Sequence, residues 1–281
     1  MADETDDLRY DEAIRKVSHN SYARDERPLT EQLAWDRHEP HDGGCRGLEL
    51  DLCESPNLPM WAIDHDGWRP DADHQLAAYL RHLRRWSELE AGHHVVTVTL
   101  DLKPPVRNPA RFATYLDATL AEHLGADRLY TPAELRGGAT SLVAGATATG
   151  WPTLGELRGR FVLCLSGDED AKRAYLDAEG DRLCFADQRV RRSHHRPSTT
   201  GGDRVFFNVN ATESWAWDRR VARWFAPQPG FVTRAYVVNS PDLWDRAIAA
   251  GVNLIATDKV RNHRWATVGP LPFAGPPPNH V

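Results

Sequence analysis

No apolar run in the 281-residue chain is long enough to cross a bilayer, which excludes a membrane-spanning helix as a sequence expectation. The first residues, Met-Ala-Asp-Glu-Thr-Asp-Asp, are acidic and carry no apolar core, so they do not read as a secretion signal, and a cytoplasmic location is expected. Excess positive charge is missing too. The net charge is -6, with acids and bases mixed along the chain, which argues against nucleic acid as a partner and gives no electrostatic help toward an anionic membrane. Cysteine is scarce: Cys45, Cys53, Cys164 and Cys184 fit no zinc spacing and are expected to be free, the last two as small buried hydrophobes. Lysine is scarce beside arginine, which reads as genome composition. There is no internal repeat and no linker-like stretch before a Pro-rich end.

What is present is 41% hydrophobic sequence, enough for one large core. Strand-like runs recur at 13–18, 47–52, 95–102, 161–166, 182–186, 205–210, 232–238 and 253–257. Helical patterns lie between several of them, at 73–89, 109–124, 218–225 and 240–250, with a short helical turn at 153–157. Ser240-Pro-Asp offers an N-cap with proline at the first helical position, and Gly251 follows that helix where a C-terminal glycine belongs. Eight strands alternating with helices predict an α/β fold, a (β/α)8 TIM barrel over residues 1–268 with an irregular tail at 269–281. The active site is then expected at the C-terminal ends of the strands.

The chemistry-bearing residues fall at those ends. The first strand runs into His19-Asn20-Ser21-Tyr22. In the second, Leu48, Leu50 and Leu52 occupy one face while Glu49 and Asp51 occupy the other. Asp64-His65-Asp66 follows, and Asp101 and Lys103 end the third predicted strand. Histidine is suited to proton transfer near neutral pH, and two carboxylates with an amide oxygen form a hard-oxygen site for Ca2+ or Mg2+. Acid–base chemistry beside a metal suits phosphoryl transfer. For Glu49 and Asp51 alone a solvated strand face is the better reading; the constellation is what shifts it. Other readings are simpler: the doublets His93-His94 and His194-His195 as solvated residues, and Trp61, Trp68, Trp215 and Trp217 as packing residues in loops, although an interfacial membrane contact is compatible with them. For Arg234 and Tyr236, on one strand face, substrate contact and a core ion pair stand equal.

These motifs resemble the superfamily of phosphatidylinositol-specific phospholipases C and glycerophosphodiester phosphodiesterases, and are most similar to its calcium-dependent bacterial group. His19-Asn20-Ser21-Tyr22 looks like the first catalytic motif, Gly44 through Asp51 like the second, and Asp64-His65-Asp66 carries the second histidine. Asp101 stands where the family usually has Glu. Gly230 through Tyr236 and Gly251 through Asp258 resemble the last two strand motifs. The resemblance implies a metal-dependent phosphoric diester hydrolase or lyase with His19 and His65 as its acid–base pair. It also implies Ca2+ (or Mg2+) held by Asn20, Glu49, Asp51 and Asp101. Lys103, which points the same way as Asp101, is a candidate for substrate phosphate contact or a salt bridge within the barrel mouth, beside Arg234 and Tyr236 as the candidate substrate contacts named above. A small-molecule or lipid phosphodiester is the implied partner. Alternatives are a barrel of this kind repurposed in specialised metabolism, or a non-catalytic binder of a phosphorylated ligand. The fourth predicted strand ends in Cys164 and Ser166 where the eukaryotic phospholipases carry lysines, so a singly charged diester is the expected substrate.

Overall fold

Leucine alternation decides how the second strand sits. Leu48, Leu50 and Leu52 are buried against helices, so Glu49 and Asp51 must point the other way, into a closed barrel. The structure is a computed structural model that describes residues 5–23, 28–36, 38–57, 60–67, 72–107, 109–191, 202–217 and 229–276. Eight parallel strands form the barrel: β1 (Ile14–Ser18), β2 (Gly47–Glu54), β4 (Val96–Lys103), β5 (Phe161–Gly167), β6 (Phe185–Val190), β7 (Phe206–Asn210), β8 (Val232–Tyr236) and β9 (Leu254–Thr257). Pairing of β1 with both β9 and β2 closes it. Two short antiparallel additions flank the ring. β3 (Trp61–Ile63) returns along β2, and β10 (Phe273–Ala274) pairs with the first half of β1.

Outside the ring the described helices are α1 (Leu29–Leu33), α2 (Leu76–Leu89), α3 (Pro109–His123), α4 (Pro132–Arg136), α5 (Leu142–Ala148), α6 (Glu169–Leu176) and α7 (Pro241–Ala249). Leu80 and Leu83 of α2 and Phe112, Leu116 and Leu120 of α3 join the leucines of β2, β4 and β5 in one buried cluster. Trp244 and Ala247 of α7 cover the outer side of β8 and β9. Inside the barrel a gradient runs from apolar to polar. The closed end is filled by Val17, Val162, Phe185, Phe206, Val232 and Leu254, with Tyr10 stacked on Trp151 at 4.7 Å beneath them. One turn further along the strands the inward positions become Glu49, Asp101, Ser166, Arg189, Asn208 and Arg234, which line an open cavity.

All eight expected strands are present, and the differences from expectation are local. β6 starts at Phe185 rather than residue 182 and runs on to Val190. Arg182, just before it, is drawn aside to Asp117 at 3.2 Å. Residues 153–157 make a single helical turn, with the Leu157 N–H on the Thr153 carbonyl at 3.2 Å and Thr153 and Glu156 capping each other, and it does not extend into a helix. Helices α4, α5 and α6 were not expected. Their caps were nonetheless readable: the Thr131 hydroxyl with Glu134, Ser141 with the Ala144 N–H, and Asp168 with the Ala171 N–H. The tail is not wholly irregular, since it contributes β10. His93 and His94 are not solvated: His93 packs between Trp86 and Phe161 at 4.4 and 5.3 Å, and His94 lies against Phe273. The expected helix at 218–225, Trp68, and the stretch holding His194 and His195 lie outside the described residues, as does the side chain of Trp215. Trp61 is buried against Phe112, and the Trp217 indole N–H donates to the Ala211 carbonyl, so both serve packing. No described helix is long and apolar enough to cross a membrane. All four cysteines are buried and free.

Candidate active site

β1 delivers His19, Asn20 and Ser21 to the barrel mouth through a tight turn clipped onto β2. The Ser21 N–H donates to the Glu49 carbonyl at 3.0 Å and the Glu49 N–H donates to the Ser21 hydroxyl at 2.8 Å. The turn needs left-handed backbone at Asn20, with φ of 49°, a conformation asparagine tolerates better than most side chains. The Asn20 N–H then reaches the Glu49 carboxylate at 3.4 Å.

His19 is fixed from both sides of its ring. Nδ1 lies 2.7 Å from an Asp258 carboxylate oxygen, and Nε2 is 3.8 Å from Glu49 Oε2. Burial opposes a charge on this ring. The hydrogen bond to Asp258 and the nearby Glu49 carboxylate outweigh it, so the His19 pKa is raised. Asp258 is itself steadied by the Asn239 amide at 2.5 Å. Asp258 was absent from the expected site residues. Its signal was available in the register: Ser18 of β1 lies beside Thr257 of β9, so the next residues, His19 and Asp258, emerge side by side.

Glu49, Asp51 and Asp101 present carboxylate oxygens that all lie within 4.8 Å of one another. Pairing of Asp51 with Asp101 in the β2–β4 register explains why. Asp51 is fully buried, and burial together with the Glu49 charge pushes its pKa up. One of its oxygens, Oδ2, accepts from the Tyr22 hydroxyl at 2.6 Å and from Lys103 at 2.8 Å. The other, Oδ1, is buried with no hydrogen-bond partner. A convergent set of hard oxygens with an orphaned buried carboxylate oxygen fits a divalent cation with oxygen preference such as Ca2+. The two cations closest to this set are already engaged. Lys103 bridges Asp51 and Asp101, at 2.8 and 2.6 Å. Arg234 donates to Glu49 at 2.6 Å and to the Asn208 side-chain carbonyl at 3.1 Å.

The expected residues therefore divide. Glu49, Asp51, Asp101, Lys103, Arg234 and Tyr236 meet at one mouth with His19, whose ring stacks 6.1 Å from that of Tyr236. Asn20 reaches it through its backbone N–H. His65 is not brought against the cluster. It is mostly exposed, on the turn after β3, and its described partner is Asp66 at 3.1 Å. The turn is nonetheless anchored there, because the Asp64 N–H donates to the Asp51 carbonyl.

The fold and site together define a TIM barrel with a cation-type carboxylate cluster at its mouth. Within that class, the family described as Ca2+-dependent phosphoinositide phospholipase C matches residues 69–194, a stretch that contains Asp101 and Lys103. No curated protein matches the sequence. Among solved structures, a calcium-dependent phosphoinositol-specific phospholipase C from Pseudomonas sp, as a myoinositol complex, is similar at 18% identity and a TM-score of 0.76, covering 96% of each chain. A Ca2+-dependent phosphatidylinositol-specific phospholipase C from Streptomyces antibioticus is similar at 17% identity and a TM-score of 0.68, over 89% of this chain and 95% of that one. A phosphodiesterase from Oleispira antarctica, in complex with sn-glycerol-3-phosphate, has 13% identity and a TM-score of 0.52, over 90% and 96%. The resemblance read from the motifs thus reappears in a family model over part of the chain and in the fold of solved phospholipases C.

Proposed function

We propose that this chain is a Ca2+-dependent phosphodiesterase of the phospholipase C type, cleaving a phosphatidylinositol-like or related glycerophosphodiester. The observation that carries the reading is the placement of the Asp258-bound His19 beside the Glu49–Asp51–Asp101 cluster at the C-terminal end of the barrel. Asn20, Glu49, Asp51 and Asp101 would hold the cation. Bound there, it would neutralise the diester and acidify an attacking hydroxyl.

The remaining work falls to side chains of the chain itself. With Nδ1–H donated to Asp258, His19 presents Nε2 as the proton acceptor for the attacking hydroxyl. Arg234, bound to Glu49, and Tyr236 line the same cavity and would meet the phosphate and its head group. Lys103 joins them once it leaves its carboxylates. His65 is proposed as the partner that protonates the leaving oxygen, and its position on the rim requires the turn after β3 to close over the substrate.

Phosphorus NMR of the purified protein with Ca2+, against phosphatidylinositol and soluble glycerophosphodiesters, tests the reading. A cyclic phosphate product assigns attack to a hydroxyl of the substrate, and a linear one to water. His19→Ala and His65→Ala are each expected to lower turnover by about two to four orders of magnitude while leaving the fold intact. No conversion of any diester by the parent, or undiminished turnover in His19→Ala, would overturn the proposal.

A further inference from the structure

Trp61 fills its place in the core with its ring and leaves its nitrogen unanswered. The residue is 3% exposed and stands edge-on to Phe112 at 6.1 Å, within the buried cluster of β2, β4 and α3. That packing uses the carbon frame alone. The indole N–H is buried and has no hydrogen-bond partner among the described residues. Buried indole donors are ordinarily paired, so this one calls for an acceptor.

Trp61 lines a cavity of about 240 Å3 between β3, the start of α2 and the second half of α3. This cavity shares no lining residue with the one at the barrel mouth. An antiparallel bridge between Ala62 and Gln75 holds the start of α2 against β3. Met60, Leu76 and Ala77 supply an apolar wall. Gln75 precedes α2 without capping it through its side chain, which leaves the amide to the cavity. His123 ends α3, with the Glu122 carboxylate 3.9 Å from its ring.

The charge of the lining selects the ligand. No lysine or arginine is among the described lining residues, so an anion would enter uncompensated and opposed by Glu122. A cation would meet the positive end of the Trp61 N–H, and Glu122 is mostly exposed and screened by water. An uncharged molecule meets neither objection. It needs an acceptor oxygen for the indole and an apolar body for the wall, while the Gln75 amide can serve a donor or an acceptor. The volume lies below the roughly 300 Å3 at which sites for drug-sized ligands begin, so the ligand is compact.

We propose that this cavity is a binding site for a compact uncharged ketone, ester or amide, whose carbonyl oxygen accepts from the Trp61 indole N–H and whose apolar body lies on Leu76 and Ala77. The site does not depend on the phosphodiesterase reading. β3 continues through Asp64, bound to the Asp51 carbonyl, into the turn that carries His65, which puts an occupant one short strand from the rim of the barrel.

Nitrogen–proton NMR of the full chain, with the Trp61 indole resonance assigned in the parent, tests the site by titration with cyclohexanone, cyclohexylammonium and cyclohexanecarboxylate. Cyclohexanone is expected to move that resonance saturably, and the two ions to bind about tenfold more weakly or worse, because each would bury an uncompensated charge. Trp61→Phe keeps an aromatic ring and deletes the donor. Its affinity for cyclohexanone, read at the Gln75 side-chain amide, is expected to fall about fivefold, the scale of one hydrogen bond. Ala77→Leu, at a half-buried position of α2, is expected to abolish binding by filling the cavity while the Trp61 resonance stays in place. A Trp61 N–H that contacts water and shifts with none of the probes makes the cavity a hydration site and overturns the proposal. Equal or tighter binding of the carboxylate, or undiminished affinity in Ala77→Leu, overturns it as well. Should Trp61→Phe fail to fold, the parent and Ala77→Leu decide between them.

Discussion

Lys103 occupies the place where charge is most contested. Its ammonium sits between Asp51 and Asp101, whose carboxylates would otherwise repel each other and Glu49 in a buried setting. A divalent cation and this ammonium want the same oxygens, so metal binding has to displace or share with Lys103. Lys103→Met is expected to bind Ca2+ more tightly than the parent, by about tenfold or more, since one competing unit charge within a few ångströms is removed. Titration calorimetry reads this directly, and equal or weaker affinity in the variant shows that Lys103 does not compete. Under the proposed function displacement would also give Lys103 a second use: freed by the cation, it would meet the substrate phosphate.

At the level of the element, α2 and the start of β4 hold a histidine whose charge the fold resists. His93 lies against Trp86 and Phe161, accepts from the Ser87 hydroxyl at Nε2 and donates from Nδ1 to the His94 carbonyl. Burial, with Arg46 and Arg128 nearby, lowers its pKa below the ordinary 6.5. The unfolded chain therefore binds this proton more readily than the folded one. His93 leaves stability intact above about pH 6.5 and costs it progressively as pH falls from there through the lowered folded value. Urea midpoints taken between pH 7.5 and pH 5 are expected to fall less steeply in His93→Phe than in the parent; equal slopes would show that His93 takes up its proton alike in the folded and unfolded states. Elements also show where sequence reading succeeds. The period-two leucines of β2 put Glu49 and Asp51 on one face, their company with His19, Asn20 and Asp101 turned that face toward the barrel, and apolar strand-like runs marked the eight strands. β6 was displaced because Arg182, Leu183 and Cys184 look strand-like, while the tertiary pair Arg182–Asp117 decides against them. That displacement hid Arg189, and the His19–Asp258 pair was hidden because it spans 239 positions and exists only through the β1–β9 register.

Across the whole molecule, the carboxylate cluster is a debt in stability that a cation cancels. Buried like charges, and the orphaned Asp51 oxygen, disfavour the metal-free folded state. Ca2+ binding to the folded chain alone adds about 2.7 kcal/mol at a hundredfold excess over Kd. Urea denaturation in Ca2+ and in chelator is expected to differ by that order in the parent, with the difference shrinking in Glu49→Gln and Asp51→Asn. Identical curves for the parent in both conditions would place any metal elsewhere.

The small strand β10 has a consequence in time as well as space. β1 is bounded on one edge by β9, and its other edge is divided: Ile14 and Arg15 face Ala274 and Phe273, and only Val17 reaches β2. The first strand of the barrel thus waits for residues about 260 positions later in the sequence before its backbone is fully paired. A nascent chain halted before Phe273 would carry an unfinished edge at Ile14 and Arg15, open to any extended neighbour. Completion of this edge comes late relative to β1, and deletion of residues 273 and 274 should tell more on the yield of soluble protein during expression than on the rate of a barrel already closed.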